Sequence, residues 1–261
     1  MSQPLVFVKL GGRVLEGLIA NPTKLTWPST SEARMCFVHG GGAAINEMAE
    51  ALGLEFEFVD GQRKTSPEVV DIVELVLRGK MNPSLVRALG QAGLNSVGLS
   101  ASDNRIFDCE LENPKLGLVG KVKKVNAAPI RLLLDSNYVP VVAPLGYFES
   151  ENRSTVNCNA DVGAIALAKE LGPEHVIFLS DTDGLLDGEG NTLGAVNSAQ
   201  VQNLIQKKVI QGGMLVKMQS ILSYLEKHKK AKVWLLNGTQ EANLSDVLNA
   251  EALNYGTCIT Y

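Results

Sequence analysis

Two short segments of the sequence run from an apolar stretch directly into glycines. Residues 6–12 place Lys9 just before a pair of glycines, and residues 37–42 end in three consecutive glycines. Glycines leave backbone N–H groups uncovered at the end of a strand, where the main chain can approach a phosphate that a lysine neutralises. Neither segment has the spacing of the P-loop or of the dinucleotide-binding glycine motif. Either one alone would be an ordinary turn, but together they predict a phosphoryl-transfer site.

Residues 157–161 and 211–217 place charged side chains at the start of predicted helices. In the first segment, Asn159 can cap a helix and Asp161 lies in the first turn, where the helix dipole favours a negative charge. A structural and a functional role are equally good interpretations of that segment alone. The second segment opens with two glycines and carries Lys217 one turn later, a pattern that can bind a nucleotide phosphate. Its apolar neighbours favour a functional lysine over a solvated one.

Several other polar residues allow both a structural and a functional interpretation. Arg63 ends a predicted hairpin, and its guanidinium either binds a substrate carboxylate through two nitrogens or lies exposed on the surface. Residues 179–186 form a polar turn after a strand, which taken alone is most often a surface turn. For His39 at a strand end, a structural role held by the backbone is favoured over a general base. The pair Asn82-Pro83 predicts a helix start, with Asn82 as N-cap.

Short apolar runs alternate with segments of helical period along the chain. This alternation predicts an α/β fold with an open, mainly parallel sheet sandwiched by helices. Active sites in such sheets lie beyond the carboxyl ends of the strands, where both glycine segments fall. Residues 55–63 and 105–125 break the alternation and predict hairpins that cover a small-molecule pocket. The predicted strands are residues 5–10, 35–38, 96–99, 139–143, 176–179 and 233–236.

Composition excludes several classes of protein. The chain has 261 residues, 45% of them hydrophobic, which can supply a full core, and its net charge of −4 argues against a nucleic-acid surface. The four cysteines and three histidines lack metal-ligand spacing, so we expect reduced thiols and no metal site built from protein ligands alone. No stretch approaches the roughly 18 apolar residues of a membrane span. Because no signal peptide precedes the first strand, we expect a cytoplasmic protein.

In this order, the segments resemble those of the amino acid kinase family over nearly the whole chain. Within that family the chain is most similar to members that phosphorylate N-acetyl-L-glutamate. The resemblance implies transfer of a phosphoryl group from ATP to the γ-carboxylate, giving N-acetyl-L-glutamyl 5-phosphate in arginine biosynthesis. The alternatives are a sister kinase for an aminoadipate derivative or another small carboxylate or carbamate, and a non-catalytic nucleotide sensor. The matching segments are residues 8–12, 38–42, 60–65, 97–100, 139–146, 157–161, 179–181 and 212–217.

The resemblance also implies roles for individual residues. Lys9 and Lys217 would stabilise the transferring phosphoryl group, and Asp161 would hold both lysines. The substrate would be bound by Gly41, Gly42, Arg63 and Asn157. Mg²⁺ would be held mainly by the phosphates of ATP, without a metal site on the protein. The residues implied in phosphate and ATP binding are Gly11, Gly12, Asp181, Thr182, Asp183, Gly184, Leu185, Leu186, Val209, Ile210, Gln211 and Gly213.

The resemblance further implies two lobes and a dimer. Residues 1–172 would form an N-terminal lobe that binds the acyl amino acid and dimerises, and residues 173–261 a C-terminal lobe that binds ATP. We expect a homodimer that binds neither nucleic acid nor membranes. Arginine-inhibited members of the resembled family carry an extra N-terminal helix, for which residues 1–4 are too short. We therefore expect that L-arginine does not inhibit the protein.

Overall fold

The computed structural model describes residues 3–54, 57–59, 62–150 and 154–261. The strands are β1 (Leu5–Leu10), β2 (Leu25–Thr26), β3 (Arg34–His39), β4 (Phe58–Val59), β5 (Gln62–Arg63), β6 (Ser96–Ser100), β7 (Phe107–Leu111), β8 (Val119–Val125), β9 (Val139–Ala143), β10 (Leu145–Tyr147), β11 (Thr155–Cys158), β12 (His175–Ser180), β13 (Ala195–Asn197), β14 (Lys232–Asn237), β15 (Ala242–Asn243) and β16 (Gly256–Thr260). The helices are α1 (Gly12–Ala20), α2 (Gly42–Ala51), α3 (Pro67–Glu74), α4 (Asn82–Gln91), α5 (Ala128–Asp135), α6 (Ala160–Leu171), α7 (Ser198–Gln206) and α8 (Gly212–Lys227). A π-helical segment, Leu75–Met81, joins α3 to α4, and short 3₁₀ turns occupy Asp103–Arg105, Pro114–Leu116 and Leu244–Leu248.

An eight-stranded sheet of order β13-β16-β14-β12-β1-β3-β9-β6 forms the centre of the molecule. All six strands predicted from apolar runs lie in it side by side and run parallel, which confirms the predicted fold class. The sequence interpretation missed β13 and β16. These two strands complete one end of the sheet, where β16 pairs antiparallel with β14.

Helices cover both faces of this sheet, and alternate residues of each strand enter different cores. On β1, Val6 and Val8 belong to the core beneath α1–α4, whereas Phe7 belongs to the core beneath α5–α8. Strands buried on both faces read as continuous apolar runs, which is why the sequence showed them clearly. The same alternation directs Lys9 toward α5–α8 and His39, two residues after Phe37, toward α1–α4.

The predicted hairpins are present in the described residues. Strands β4 and β5 pair antiparallel, as do β7 and β8. The second pair closes with β10 and β11 into a small barrel. Residues 55, 56, 60 and 61 of the first predicted hairpin lie outside the described residues. Both hairpins contribute side chains to the cavity described below.

The prediction that Asn82 caps a helix is wrong. Its backbone is helical, and the chain continues from α3 through the π-helical segment into α4 without a break. Its side chain is buried and donates from Nδ2 to the carbonyl of Val141, 2.9 Å away, so it is not available to cap. Pro83, which has no N–H to donate, is accommodated where the wider π-helical turn ends.

The central sheet crosses the predicted lobe boundary, because β1 pairs with β12. A division of labour between residues 1–172 and residues 173–261 therefore stays a prediction. In the ranges that the structure describes, no helix is both long enough and apolar enough to cross a membrane.

Candidate functional site

Lys9, Asp161 and Lys217 come together beyond the carboxyl end of β1. Lys9 is the penultimate residue of β1, Asp161 lies in the first turn of α6, and Lys217 lies in the second turn of α8. The Nζ atom of Lys9 is 2.5 Å from Oδ1 of Asp161, and the Nζ atom of Lys217 is 3.3 Å from Oδ2. The three residues, far apart in sequence, thus form one ion-paired group.

This group carries a net positive charge in a partly desolvated position. The side chains of Lys9 and Lys217 are only 12% and 16% exposed, so water screens them weakly. Burial alone would raise the pKa of Asp161, but the charges and hydrogen bonds of the two lysines lower it below its ordinary value. The carboxylate is therefore ionised at neutral pH and holds two cations near one another. An anion bound beside them would complete the charge balance.

Lys9 and Asp161 of this group line a cavity of about 220 Å³, whereas Lys217 is not among the described residues that line it. The structure brings six of the predicted residues to this cavity. Four come from segments that the sequence analysis linked to phosphate or to substrate, namely Gly41, Gly42, Arg63 and Asn157, and the other two are Lys9 and Asp161.

Arg63 is held in the wall of the cavity by contacts that sequence reasoning missed. It is 9% exposed, its Nη2 donates to Oδ1 of Asn46 at 2.7 Å, and its guanidinium lies 4.9 Å from the centre of the Phe58 ring. Thr65 donates to the carbonyl of Arg63 and accepts a hydrogen bond from Nδ2 of Asn157 at 3.2 Å. Arg63 is thus a buried, oriented cation, and the alternative of an exposed surface arginine is wrong.

Both glycine segments turn directly into helices. Gly11 precedes α1 and donates its N–H to the carbonyl of Leu179 at the end of β12. Gly41 precedes α2, and a Cβ atom there would lie 2.6 Å from Cδ2 of Leu77. A Cβ atom at Gly12 would meet no heavy atom within 4 Å, so the space above the start of α1 is open. Helix N-termini with free N–H groups favour bound anions.

Apart from Gly11 and Gly12 at the start of α1, the residues predicted for ATP form the loop after β12 and the segment that leads into α8. None of them is among the described residues that line the cavity. Asp181 pairs with Arg13 at 2.9 Å, and Asp183 accepts a hydrogen bond from Asn237 at 2.6 Å. Leu185 is buried and donates its N–H to the hydroxyl of Thr257.

The backbone and burial of Gly184 and of residues 209–213 differ from one residue to the next. Gly184 has a φ of +102°, and a Cβ atom there would lie 2.9 Å from the backbone nitrogen of Thr257, so only glycine fits. Ile210 is buried, whereas Val209 is exposed. Gln211 is the N-cap residue of α8, and a Cβ atom at Gly213 would meet open space. The role of these residues, and of Thr182 and Leu186, in binding ATP stays a prediction.

His39 is fully buried and is not among the described residues that line the cavity. It therefore does not serve as a general acid or base there. Its Nδ1 lies 2.8 Å from the carbonyl oxygen of Gly40, as expected for a histidine held by the backbone. Burial lowers its pKa to about 4, against the smaller opposing effect of this hydrogen bond. The imidazole is therefore neutral at physiological pH.

Comparison with known proteins relates this architecture to a kinase family. The sequence model of the amino acid kinase family matches residues 4–237. The chain is 39% identical to the acetylglutamate kinase of Geobacillus kaustophilus over 224 residues, which cover 84% of this chain and 85% of that protein. It is 38% identical to the acetylglutamate kinase of Geobacillus thermodenitrificans over 237 residues, which cover 89% and 90%. A crystal structure of a Streptococcus mutans protein, 25% identical, superimposes with a TM-score of 0.78 and covers 98% of both chains.

Proposed function

Because the chain belongs to the amino acid kinase family, we propose that it transfers the γ-phosphoryl group of ATP to the γ-carboxylate of N-acetyl-L-glutamate. The product is N-acetyl-L-glutamyl 5-phosphate, in arginine biosynthesis. The observation that carries this proposal is the pair of lysines on Asp161 beside a cavity that also contains a buried arginine. The identity of 38 to 39% to acetylglutamate kinases over most of the chain supports the choice of substrate.

The chemistry fits these residues because the nucleophile is already ionised. A carboxylate needs no general base, so positioning and charge stabilisation must supply the acceleration. Lys9 and Lys217 would stabilise negative charge on the transferring phosphoryl group, and Asp161 would keep the two ammonium groups together. Arg63 and Asn157 would bind the acyl amino acid, and the start of α2 would offer N–H groups at Gly41 and Gly42 to the substrate and to the phosphoryl group that it receives.

ATP would enter from the side of β12 and α8. Gly11, Gly12 and Gly213 would leave room for its phosphates, while the loop from Asp181 to Leu186 and residues 209–211 would contact the rest of the nucleotide. Mg²⁺ would supply charge neutralisation between the nucleotide phosphates. Across the described ranges, no cluster of three or more His, Cys, Asp or Glu side chains could hold a metal ion, and Asp161 is engaged by two lysines. We therefore propose that the ligands of the Mg²⁺ ion come mainly from the nucleotide phosphates.

An acyl-phosphate assay tests the reaction. The purified protein is incubated with ATP, Mg²⁺ and hydroxylamine, which traps acyl phosphates as hydroxamates, and the acceptors are N-acetylglutamate, N-acetylaminoadipate, aspartate and carbamate. Because carbamoyl phosphate would escape a simple hydroxamate readout, ADP release is measured in parallel. We expect the highest kcat/KM with N-acetylglutamate. A preference for another acceptor would identify a sister kinase, and binding of ATP without turnover on any acceptor would identify a nucleotide sensor.

We also infer a homodimer, which is the assembly that the family resemblance implies. Multi-angle light scattering on the purified chain, of 28.0 kDa per protomer, should give twice that mass. A monomeric mass would contradict this inference without bearing on the reaction.

A further inference from the structure

A buried polar pair, His39 and Asn82, lies beside the glycine segment at the start of α2. His39 ends β3 and is 0% exposed, and Asn82 begins α4 and is 5% exposed. Nδ2 of Asn82 lies 3.1 Å from Nε2 of His39. Neither residue has a role in the mechanism above, although buried polar side chains are costly unless they satisfy one another.

The contacts of Asn82 determine which ring nitrogen of His39 carries the proton. Nδ2 of Asn82 lies 2.9 Å from the carbonyl oxygen of Val141, so the amide nitrogen, which is a donor, faces this carbonyl. Of the two further contacts of this nitrogen, Nε2 of His39 at 3.1 Å is shorter than the carbonyl oxygen of Leu99 at 3.4 Å, so we assign the second hydrogen to Nε2, which then accepts and is unprotonated. The proton of the neutral ring is therefore on Nδ1, where it is donated to the carbonyl oxygen of Gly40 at 2.8 Å.

This hydrogen bond fixes the orientation of the peptide that joins Gly40 to Gly41. In a trans peptide the C=O and the next N–H point in opposite directions. With the Gly40 carbonyl directed at His39, the Gly41 N–H is directed away from it, and Gly41 lines the cavity. The Gly40 N–H is used by Leu10 and the Gly41 carbonyl by Ile45. Within the described part of the chain, the Gly41 N–H has no acceptor, so it is available to a ligand.

The π-helical segment holds the other side of the same loop. A Cβ atom at Gly41 would lie 2.6 Å from Leu77 and 3.4 Å from Met81, so these side chains pack against its Cα. Both are buried. The wider π-helical turn thus brings Leu77, Met81 and Asn82 under one loop. Free glycine backbone would otherwise be mobile.

We propose that His39 and Asn82 are positioning residues that fix the Gly40–Gly41 peptide, with its N–H directed at the negative charge that develops on the transferring phosphoryl group. This inference rests on the proposed kinase function. A donor fixed before the reaction needs no reorganisation during it, so the pair contributes to kcat more than to substrate binding.

Two substitutions of His39 separate the contact with Gly40 from the contact with Asn82. In His39→Asn, the amide nitrogen takes the position of Nδ1 and still donates to Gly40, but the contact with Asn82 is lost. In His39→Gln, the amide reaches the position of Nε2 and can accept from Asn82, but no donor remains near Gly40. The control is His175→Gln, which changes a buried histidine that contacts Trp234 instead.

We expect His39→Gln to lower kcat about tenfold, the value of one hydrogen bond, with the KM values for ATP and N-acetylglutamate changed less than twofold. His39→Asn should lower kcat at most threefold, and His175→Gln should leave kcat unchanged. Equal losses in both His39 variants, or a larger loss in His39→Asn, would overturn the proposal, because His39 would then act through packing or through Asn82.

A measurement on the wild-type protein tests the geometry without turnover. Long-range ¹H–¹⁵N correlation spectra distinguish the two neutral tautomers of histidine. We expect the Nδ1–H tautomer for His39 at pH 7 and a shift of its ring signals in Asn82→Leu, which removes the donor to Nε2. An Nε2–H tautomer would overturn the proposal even if the protein proves to be an active kinase. If N-acetylglutamate is not the acceptor, the tautomer still decides the geometry, and the kinetic comparison is made with the acceptor that the panel identifies.

Discussion

Lys9, Asp161 and Lys217 form a group whose charges do not cancel. One carboxylate holds two ammonium groups that would repel each other without it. The aromatic face of Phe178, 5.5 Å from Nζ of Lys217, adds a further favourable contact for that cation. In the proposed reaction, this preorganised positive charge would stabilise an incoming phosphoryl group more strongly than water would.

Removing either lysine should therefore damage the chemical step more than binding. We expect Lys9→Ala and Lys217→Ala each to lower kcat about a hundredfold, on the order of 3 kcal/mol, while the KM for N-acetylglutamate changes much less. Steady-state kinetics with hydroxamate trapping measures both constants. Near wild-type kcat in either variant would show that its assigned role is wrong.

Lys169 provides the matched control for these variants. It lies on α6, as Asp161 does, and its Nζ donates to Ser223 on α8 at 2.7 Å, so it links the same two helices as the pair of Asp161 and Lys217. It does not line the cavity. Lys169→Ala should keep kcat within twofold, which separates loss of charge at the site from loosening of the helices.

Arg63 should contribute to recognition of the acidic substrate. A lysine in its place keeps the charge but not the planar fork that binds a carboxylate through two nitrogens. We expect Arg63→Lys to raise the KM for N-acetylglutamate about tenfold, or roughly 1.4 kcal/mol, with the KM for ATP nearly unchanged. Arg105→Lys is the control, because Arg105 also lies over an aromatic ring, that of Tyr147, but is exposed. Equal increases in both KM values would point instead to a structural role for Arg63.

Residue types at strand and helix ends marked the charged residues that the structure brings to this region. Lys9 follows an apolar run, and Asp161 and Lys217 stand at predicted helix starts. Their roles, and that of Arg63, come from the family resemblance and stay predictions. The residues that orient them were not predicted, because Asn46 meets Arg63 only in the folded chain and neither residue type nor spacing marks such a partner. Asn82 gave a partly misleading signal: α4 does begin at this residue, but the chain before it is already helical and the side chain points into the core instead of capping.

At the scale of elements, the sequence predicted what is buried on two faces and missed what is short or lies at the end of the sheet. The six parallel strands are continuous apolar runs, whereas β13 has three residues, of which only Val196 is buried. The π-helical segment was missed as well, because the helical period of α3 continues into it without a break in sequence. Its side chains nevertheless shape the loop at the start of α2.

The packing of the π-helical segment against α2 gives a prediction for two neighbouring glycines. Gly41→Ala places a methyl group 2.6 Å from Leu77, which is buried and cannot easily move, so we expect the free energy of unfolding to fall by about 1–3 kcal/mol. Gly42→Ala places a methyl group in open space in the first turn of α2 and should be neutral or stabilising by about 0.5–1 kcal/mol. Urea unfolding measures both. Equal stability of the two variants would contradict the close contact at Gly41.

At the scale of the whole molecule, one sheet joins segments that are distant in sequence. At their carboxyl ends, the neighbouring strands β12, β1 and β3 carry the loop from Asp181 to Leu186, the first glycine segment and the second glycine segment, in that order. Interactions that stabilise this sheet therefore also hold these three segments next to one another. His39 lies at the end of β3, where a charge would be buried against both the sheet and α4.

This burial makes global stability depend on pH in a defined window. The pKa of His39 is lowered from an ordinary value of 6.5 to about 4. Above pH 6.5 the ring is neutral in the folded and the unfolded chain. As the pH falls below 6.5, the unfolded chain binds a proton that the folded chain does not bind until about pH 4, so the free energy of unfolding decreases. The lowered pKa of Asp161 acts in a different range, because its contribution is lost only below the ordinary value of 3.8.

Urea unfolding should therefore show that the free energy of unfolding falls by about 3 kcal/mol between pH 7 and pH 4 because of His39. In His39→Asn the contribution of His39 to the pH dependence of the free energy of unfolding should disappear. The comparison is between the slopes of the two proteins, because the variant can differ from the wild type in stability already at pH 7. His175 also has a pKa lowered by burial, so His175→Gln should remove a separate part of the slope. A wild-type slope that His39→Asn leaves unchanged would mean that the folded chain protonates this ring near pH 6.5, which is incompatible with a neutral imidazole held between Gly40 and Asn82.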